Sequence, residues 1–196
     1  MPDFFISKNL TDLPKAAAKD PRLAHAERMA PSGQITQYLA GVPEVENRYQ
    51  TAPAVAKAVI HAAMDARRLR VAEDLPLKFF SHAVPGYLTD VQWNQAKENW
   101  LEETLDWTNV PCKGVLGPLS RIKPRIHGTD SGSNLYRLAD NLAQQGHIIR
   151  EGELPPATFW EAATICMKVR YQAILAHHAC GFGFLRFGAQ LRKNSL

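Results

Sequence analysis

The cations Arg121, Lys123 and Arg125 alternate with Ile122, Pro124 and Ile126. In an extended segment successive side chains point to opposite faces, so this spacing sends all three charges to one side. The loop from Gly128 to Ser133 then offers backbone N–H groups and hydroxyls, and Ser131 or Ser133 is placed to cap a helix that follows. Cations beside a helix N-terminus make a phosphate site, because free N–H groups and the helix dipole both favour an anion. The expected helix has two unlike faces. Leu135, Leu138, Ala139 and Leu142 fall at core-stripe spacing, while Asn134, Arg137, Asn141, Gln144 and Gln145 lie on another side. Carboxamides pair with adenine and guanidinium with guanine, so that polar side suits base edges in a major groove. The plainer reading of the same residues is a capped surface helix and a turn.

A second cluster stands near the C-terminus, where Phe184 and Phe187 interleave with Arg186, Arg192 and Lys193. Rings of this kind can stack on bases while the cations neutralise phosphates. The alternative is a terminal helix that docks its phenylalanines on the core. Signatures of catalysis are missing: no HExxH, no GxxxxGK phosphate loop, no GxGxxG after a strand and no GxSxG. His177 and His178 are neighbours, and neighbouring helical residues point about 100° apart, so the pair cannot chelate one ion from a regular helix. Neither a metal nor a cofactor is expected, and the reading leans away from an enzyme.

Two stretches carry a resemblance. The tripeptide His127-Gly128-Thr129, with a later tyrosine and glutamate, looks like the NAD-binding signature of some ADP-ribosyltransferases, which would imply a small NAD-dependent transferase. Gly146 closes the expected helix, and "HIIREGE" reads as a short strand turning at Glu151-Gly152. Helix, glycine, apolar strand and charged turn together resemble the recognition helix and wing of a winged-helix DNA-binding domain. That resemblance covers only the opening loop, helix and turn.

The elements that must position these groups come from the rest of the chain. With 196 residues and 45% hydrophobic composition it can bury a core without staples. Cys112, Cys166 and Cys180 are odd in number and lack CxxC spacing, which fits reduced thiols. The N-terminus lacks a basic region followed by a long apolar one, and "AILAHHACGFGFLRFGA" is too short and polar to span a bilayer, so no membrane is expected and a cytoplasmic location follows by default. Charge is uneven. Residues 1–107 hold 12 Lys and Arg against 14 Asp and Glu, net −2, whereas residues 108–196 hold 11 against 5, net +6. A basic half attracts polyanions.

Six prolines, from Pro2 to Pro53, punctuate the first 53 residues, and proline disfavours long helices. The spacing predicts an irregular arm of short helices and loops over 1–53 and a helical core domain over 54–196. Within that core, the alanine-rich run after Pro53 predicts a helix ending in Arg67, Arg68 and Arg70, cations suited to a C-terminal dipole. Thr89 and Gln92 predict a capping box before Trp93, Trp100 and Trp107, which recur every seven residues and so share a helix face. That stripe reads as the central core helix, or else as a partner-binding ridge. Thr158 and Glu161 predict a second capping box, opening one long helix that Gly181 ends in a left-handed conformation.

The expected protein is thus mainly α: a single compact helical domain with a Pro-punctuated arm and one small β-hairpin. Its expected role is non-catalytic binding of nucleic acid or a nucleoprotein complex through the basic half. The alternative is a protein-binding inhibitor or assembly subunit that uses tryptophan and phenylalanine surfaces. Oligomeric state is not legible.

Overall fold

The computed structural model describes residues 35–122, 134–167 and 169–194. Lys123, Arg125, residues 127–129, Ser131 and Ser133 lie outside them. Nine α-helices appear among the described residues: α1 Ile35–Gln50, α2 Ala54–Arg68, α3 Leu77–Ala83, α4 Asp90–Asn94, α5 Trp100–Asn109, α6 Asp140–Ile149, α7 Ala157–Cys166, α8 Val169–Gly181 and α9 Leu185–Asn194. A 3-10 turn, Val84–Tyr87, follows α3. Three strands, β1 Asp74–Pro76, β2 Leu119–Ile122 and β3 Leu135–Leu138, form one antiparallel sheet in the order β1-β3-β2. The chain is mainly helical, as its composition and periodicity lead one to expect.

The central helix is α2 rather than the tryptophan stripe. Its residues Ala56, Ala58, Val59, Ile60, Ala62, Ala63, Met64, Asp65 and Ala66 are all buried, so it is covered on every side. Alanine makes this feasible: it favours helix and lets neighbours approach closely. On α6, a Cβ placed at Gly146 would lie 2.9 Å from Met64 Cγ. Gly146 therefore sits inside α6 instead of ending it, because the contact with α2 needs its missing side chain. The residues His147 to Ile149, expected as a strand, complete that helix, and the turn at Gly152 (φ 77°) follows it.

Tertiary pairing also overrides the helical spacing of Leu135, Leu138, Ala139 and Leu142. Leu135–Leu138 pairs with both β1 and β2, and its burial alternates: Tyr136 and Leu138 are buried while Arg137 is exposed. That is the period of a strand. The helix starts only at Asp140. The small β element is accordingly a three-stranded sheet around residues 74–138, and not a hairpin near residue 151.

Five other expectations change. Residues 35–50 of the proposed arm form a continuous helix that runs through Pro43. A proline inside a helix costs about 3 kcal/mol, offset here by burial of Val45 and Tyr49 and by Arg48, whose Nη1 donates to Val110 O at 2.8 Å. The capping box at Thr89 and Gln92 is present, but α4 stops at Asn94, so the tryptophans fall on two helices. The long C-terminal helix is broken at Met167, which is extended (ψ 143°), with Gln172 Nε2 donating to the freed Met167 carbonyl at 3.1 Å. Thr158 does not cap α7; its Oγ1 donates to Ala83 O at 2.8 Å and ties α7 to α3. The left-handed glycine after α8 is Gly183 (φ 81°) rather than Gly181.

Candidate functional site

The residues expected to read bases do not share a face. Asn134 precedes β3, and Arg137 lies within it, where its Nε and Nη2 donate to Asp74 Oδ1 and Oδ2 at 2.6 and 2.9 Å. Asn141 is buried in the first turn of α6, its Nδ2 without a partner among the described residues, and Gln145 Nε2 donates to Glu46 on α1. The cause is the strand: alternation turns residues 134–138 differently from a helix. Of the three alternating cations, Arg121 is described. It is exposed on the edge strand β2 and donates to Asn134 Oδ1.

At the C-terminus Phe184 and Phe187 are half-buried. Phe184 packs on Trp160 with centroids 5.6 Å apart, and Phe187 on Phe184 at 6.2 Å. Those rings serve the core. Arg186, Arg192 and Lys193 are exposed along α9.

The charge asymmetry of the sequence is folded back on itself. Lys113 Nζ meets Glu44 at 3.3 Å, Arg137 meets Asp74 at 2.6 Å, and Arg150 meets Asp65 at 3.0 Å. Each pair joins a cation of the basic half to a carboxylate of the acidic half. The two halves, oppositely charged along the chain, are interleaved by the tertiary structure.

One buried cluster escaped the sequence altogether. Asp65 on α2 is 0% exposed. Its Oδ1 accepts from Arg68 Nε (2.7 Å) and Arg150 Nε (3.0 Å), and its Oδ2 from Arg150 Nη2 (3.0 Å) and the Tyr87 hydroxyl (2.8 Å). Arg150 also reaches His61 Nδ1 at 3.5 Å, and His61 Nε2 meets the Tyr49 hydroxyl at 2.9 Å. A guanidinium only donates, so Nδ1 is the acceptor and Nε2 carries the imidazole proton toward the Tyr49 oxygen. The chain of contacts binds α1, α2, the 3-10 turn and the end of α6. Burial and the Asp65 charge hold the Tyr87 phenol well above its ordinary range, which keeps it a donor. A carboxylate saturated by four donors and closed to solvent has no lone pair to offer a substrate, so the cluster is a clamp and not a general base. The overlooked signal was a lone acid, Asp65, inside the apolar run from Ala62 to Ala66.

His61 makes this clamp sensitive to acid. Burial, then the Arg150 charge, pulls its imidazole from 6.5 down to about 4; Lys57 adds to this and Asp65 opposes it. The unfolded chain takes up the proton near pH 6.5 and the folded chain only near 4. Stability from this site is therefore complete above pH 6.5 and lost as pH falls toward 4. Melting temperatures of wild type and His61→Gln, followed over that window, should converge on the acid side. Parallel curves would refute it.

Elsewhere, Cys112, Cys166 and Cys180 are free thiols. Among the described residues no group of three or more His, Cys, Asp or Glu could hold a metal ion, and no helix is long and apolar enough to cross a membrane.

The last candidate is the surface of α4 and α5. Val91 is 65% exposed and Trp93 39%, and the Trp93 ring meets the half-buried Trp100 edge-on with centroids 5.6 Å apart. Trp107, also half-buried, lies under Arg48, whose guanidinium carbon is 5.1 Å from the ring centroid. None of the three is a buried core residue, contrary to the first reading of the stripe. The fully buried tryptophan is Trp160. Against models of protein families, curated proteins and solved structures, this chain was compared as a whole. It matches none of them. Among the described residues, exposed large hydrophobic side chains also include Ile148 and Leu185, but the aromatic one is Trp93 on α4. On α5, Glu102, Glu103 and Asp106 are all exposed. Burial raises the Tyr136 phenol above its ordinary range; Arg121 opposes this, and Asp106 and Glu102 add to it.

Proposed function

We propose that this chain is a non-catalytic protein-binding module whose contact point is formed by Trp93 and Trp100. The observation that supports it is an exposed tryptophan on the capped helix α4: Trp93 is 39% exposed and Val91 65%, beside the half-buried ring of Trp100 at 5.6 Å. Scattered exposed aliphatics are ordinary, but tryptophan on a surface anchors interfaces out of proportion to its frequency. Electrostatics favour protein over nucleic acid at this face. A helix followed by a strand pair, α5 with β2 and β3, is the nearest counterpart of a recognition helix and wing. The exposed charged residues of its helix, α5, are Glu102, Glu103 and Asp106, which would repel phosphate.

A nucleic-acid reading keeps one support of its own. Arg186 and Lys193 on α9 are exposed and make no ion pair among the described residues. One experiment separates the two. Tagged wild type and Trp93→Ala are used to capture partners with and without nuclease. Capture that survives nuclease and is lost in Trp93→Ala is the expected result. Capture lost to nuclease but indifferent to Trp93 would put the α9 cations first.

A further inference from the structure

The heptad of tryptophans carries its own example of what it binds. Trp107, at one end, is covered by the Arg48 guanidinium of α1 at 5.1 Å, and the same group donates to Val110 O at 2.8 Å. Trp93 and Trp100, at the other end, have each other's edges, and among the described residues no cation lies over either ring. Each has a carboxylate three residues away on the same helical face: Asp90 for Trp93 and Glu103 for Trp100. Glu98 in the intervening turn and Glu102 and Asp106 on α5 are exposed too, and the one cation within residues 90–106, Lys97, is already paired with Glu103 at 3.0 Å. The exposed Trp93 ring, with half-buried Trp100 edge-on beside it and carboxylates around both, presents two attractions to one group: a π face that takes a cation, and oxygens that take its N–H donors.

We propose that the α4–α5 face docks an arginine-bearing segment of a partner protein, with a guanidinium over Trp93 or Trp100 as Arg48 lies over Trp107. This rests on the protein-binding reading and specifies its chemistry. Arginine is favoured over lysine because its planar head stacks on an aromatic ring and meets a carboxylate through two donors at once. General attraction is not the explanation, since the whole chain carries a formal charge of +4 and repels polycations at a distance. The attraction has to be local.

The test uses three fluorescent probes: a short peptide alternating arginine with serine, the same peptide with each arginine replaced by neutral citrulline, and a duplex DNA oligonucleotide. Anisotropy titrations are run on wild type, Trp93→Ala and the double variant Asp90→Asn/Glu103→Gln, whose positions are all exposed. The arginine peptide should bind wild type at least about tenfold more tightly than the citrulline peptide, and both variants should lose most of that preference. The carboxamide variant keeps the test decisive if Trp93→Ala shifts the melting temperature. Equal binding of the two peptides would overturn the proposal, as would a preference untouched by either variant, or DNA binding that disappears with Trp93. If the peptides bind equally while Trp93→Ala still loses a nuclease-resistant partner, the cationic class is wrong and the protein-binding reading stands. If Trp93→Ala also retains its partner, both fail.

Discussion

Replacing Asp65 by alanine is expected to destabilise the fold by about 3–5 kcal/mol, read from urea denaturation. Two terms set that size. The carboxylate accepts four hydrogen bonds from three side chains, and its loss leaves Arg150, itself buried, with an uncompensated charge. Taking a guanidinium out of water without a partner is the larger cost. A second variant isolates it: in Asp65→Ala/Arg150→Met the unpaired charge is gone, so the double change should cost less than the two single costs added together. Strict additivity, or a cost under about 1 kcal/mol for Asp65→Ala, would mean that water reaches this cluster and that it clamps nothing.

Trp160→Ala should cost a similar ~3–5 kcal/mol. Trp160 is 0% exposed and packs on Phe159 at 5.3 Å, Phe184 at 5.6 Å and Phe182 at 6.2 Å, so truncation empties the junction of α7 with the turn between α8 and α9. Among the described residues its Nε1 has no hydrogen-bond partner, and an unsatisfied buried donor costs ~1–3 kcal/mol. Trp160→Phe removes that donor along with part of the ring, so it should cost much less than Trp160→Ala. Trp93→Ala, on the surface, should cost under about 1 kcal/mol. Thermal or urea melts of the three variants give the ranking directly. If Trp93→Ala proved as damaging as Trp160→Ala, the heptad stripe would return to the core and the docking face would be lost.

These tryptophans mark the boundary of what periodicity can say. The spacing of Trp93, Trp100 and Trp107 is that of one helix face, but nothing local states that α4 ends at Asn94 or which side of α5 meets the core. Local signals that act within a few residues were legible: the Thr89–Gln92 capping box, Arg67 and Arg68 ending α2, and Phe184 and Phe187, before and within the last helix, packed on the core. Misreadings came where a distant segment intervened. Leu135–Leu138 has helical spacing when joined to Ala139 and Leu142, and became a strand because β1 and β2 offered it hydrogen bonds on both sides.

By itself, then, the order of residues determined a mainly helical chain, its alanine-rich helix, one cap and its free thiols, since propensity, capping and cysteine spacing are properties of near neighbours. Only the tertiary structure decided which helix is central, which tryptophan is buried, and that Asp65 faces Arg150 from 85 residues away. It also decided that the basic and acidic halves neutralise one another through Asp74, Asp65 and Glu44. Those outcomes depend on which surfaces meet, and burial energy and Coulomb attraction act between groups close in space, however far apart they are along the chain.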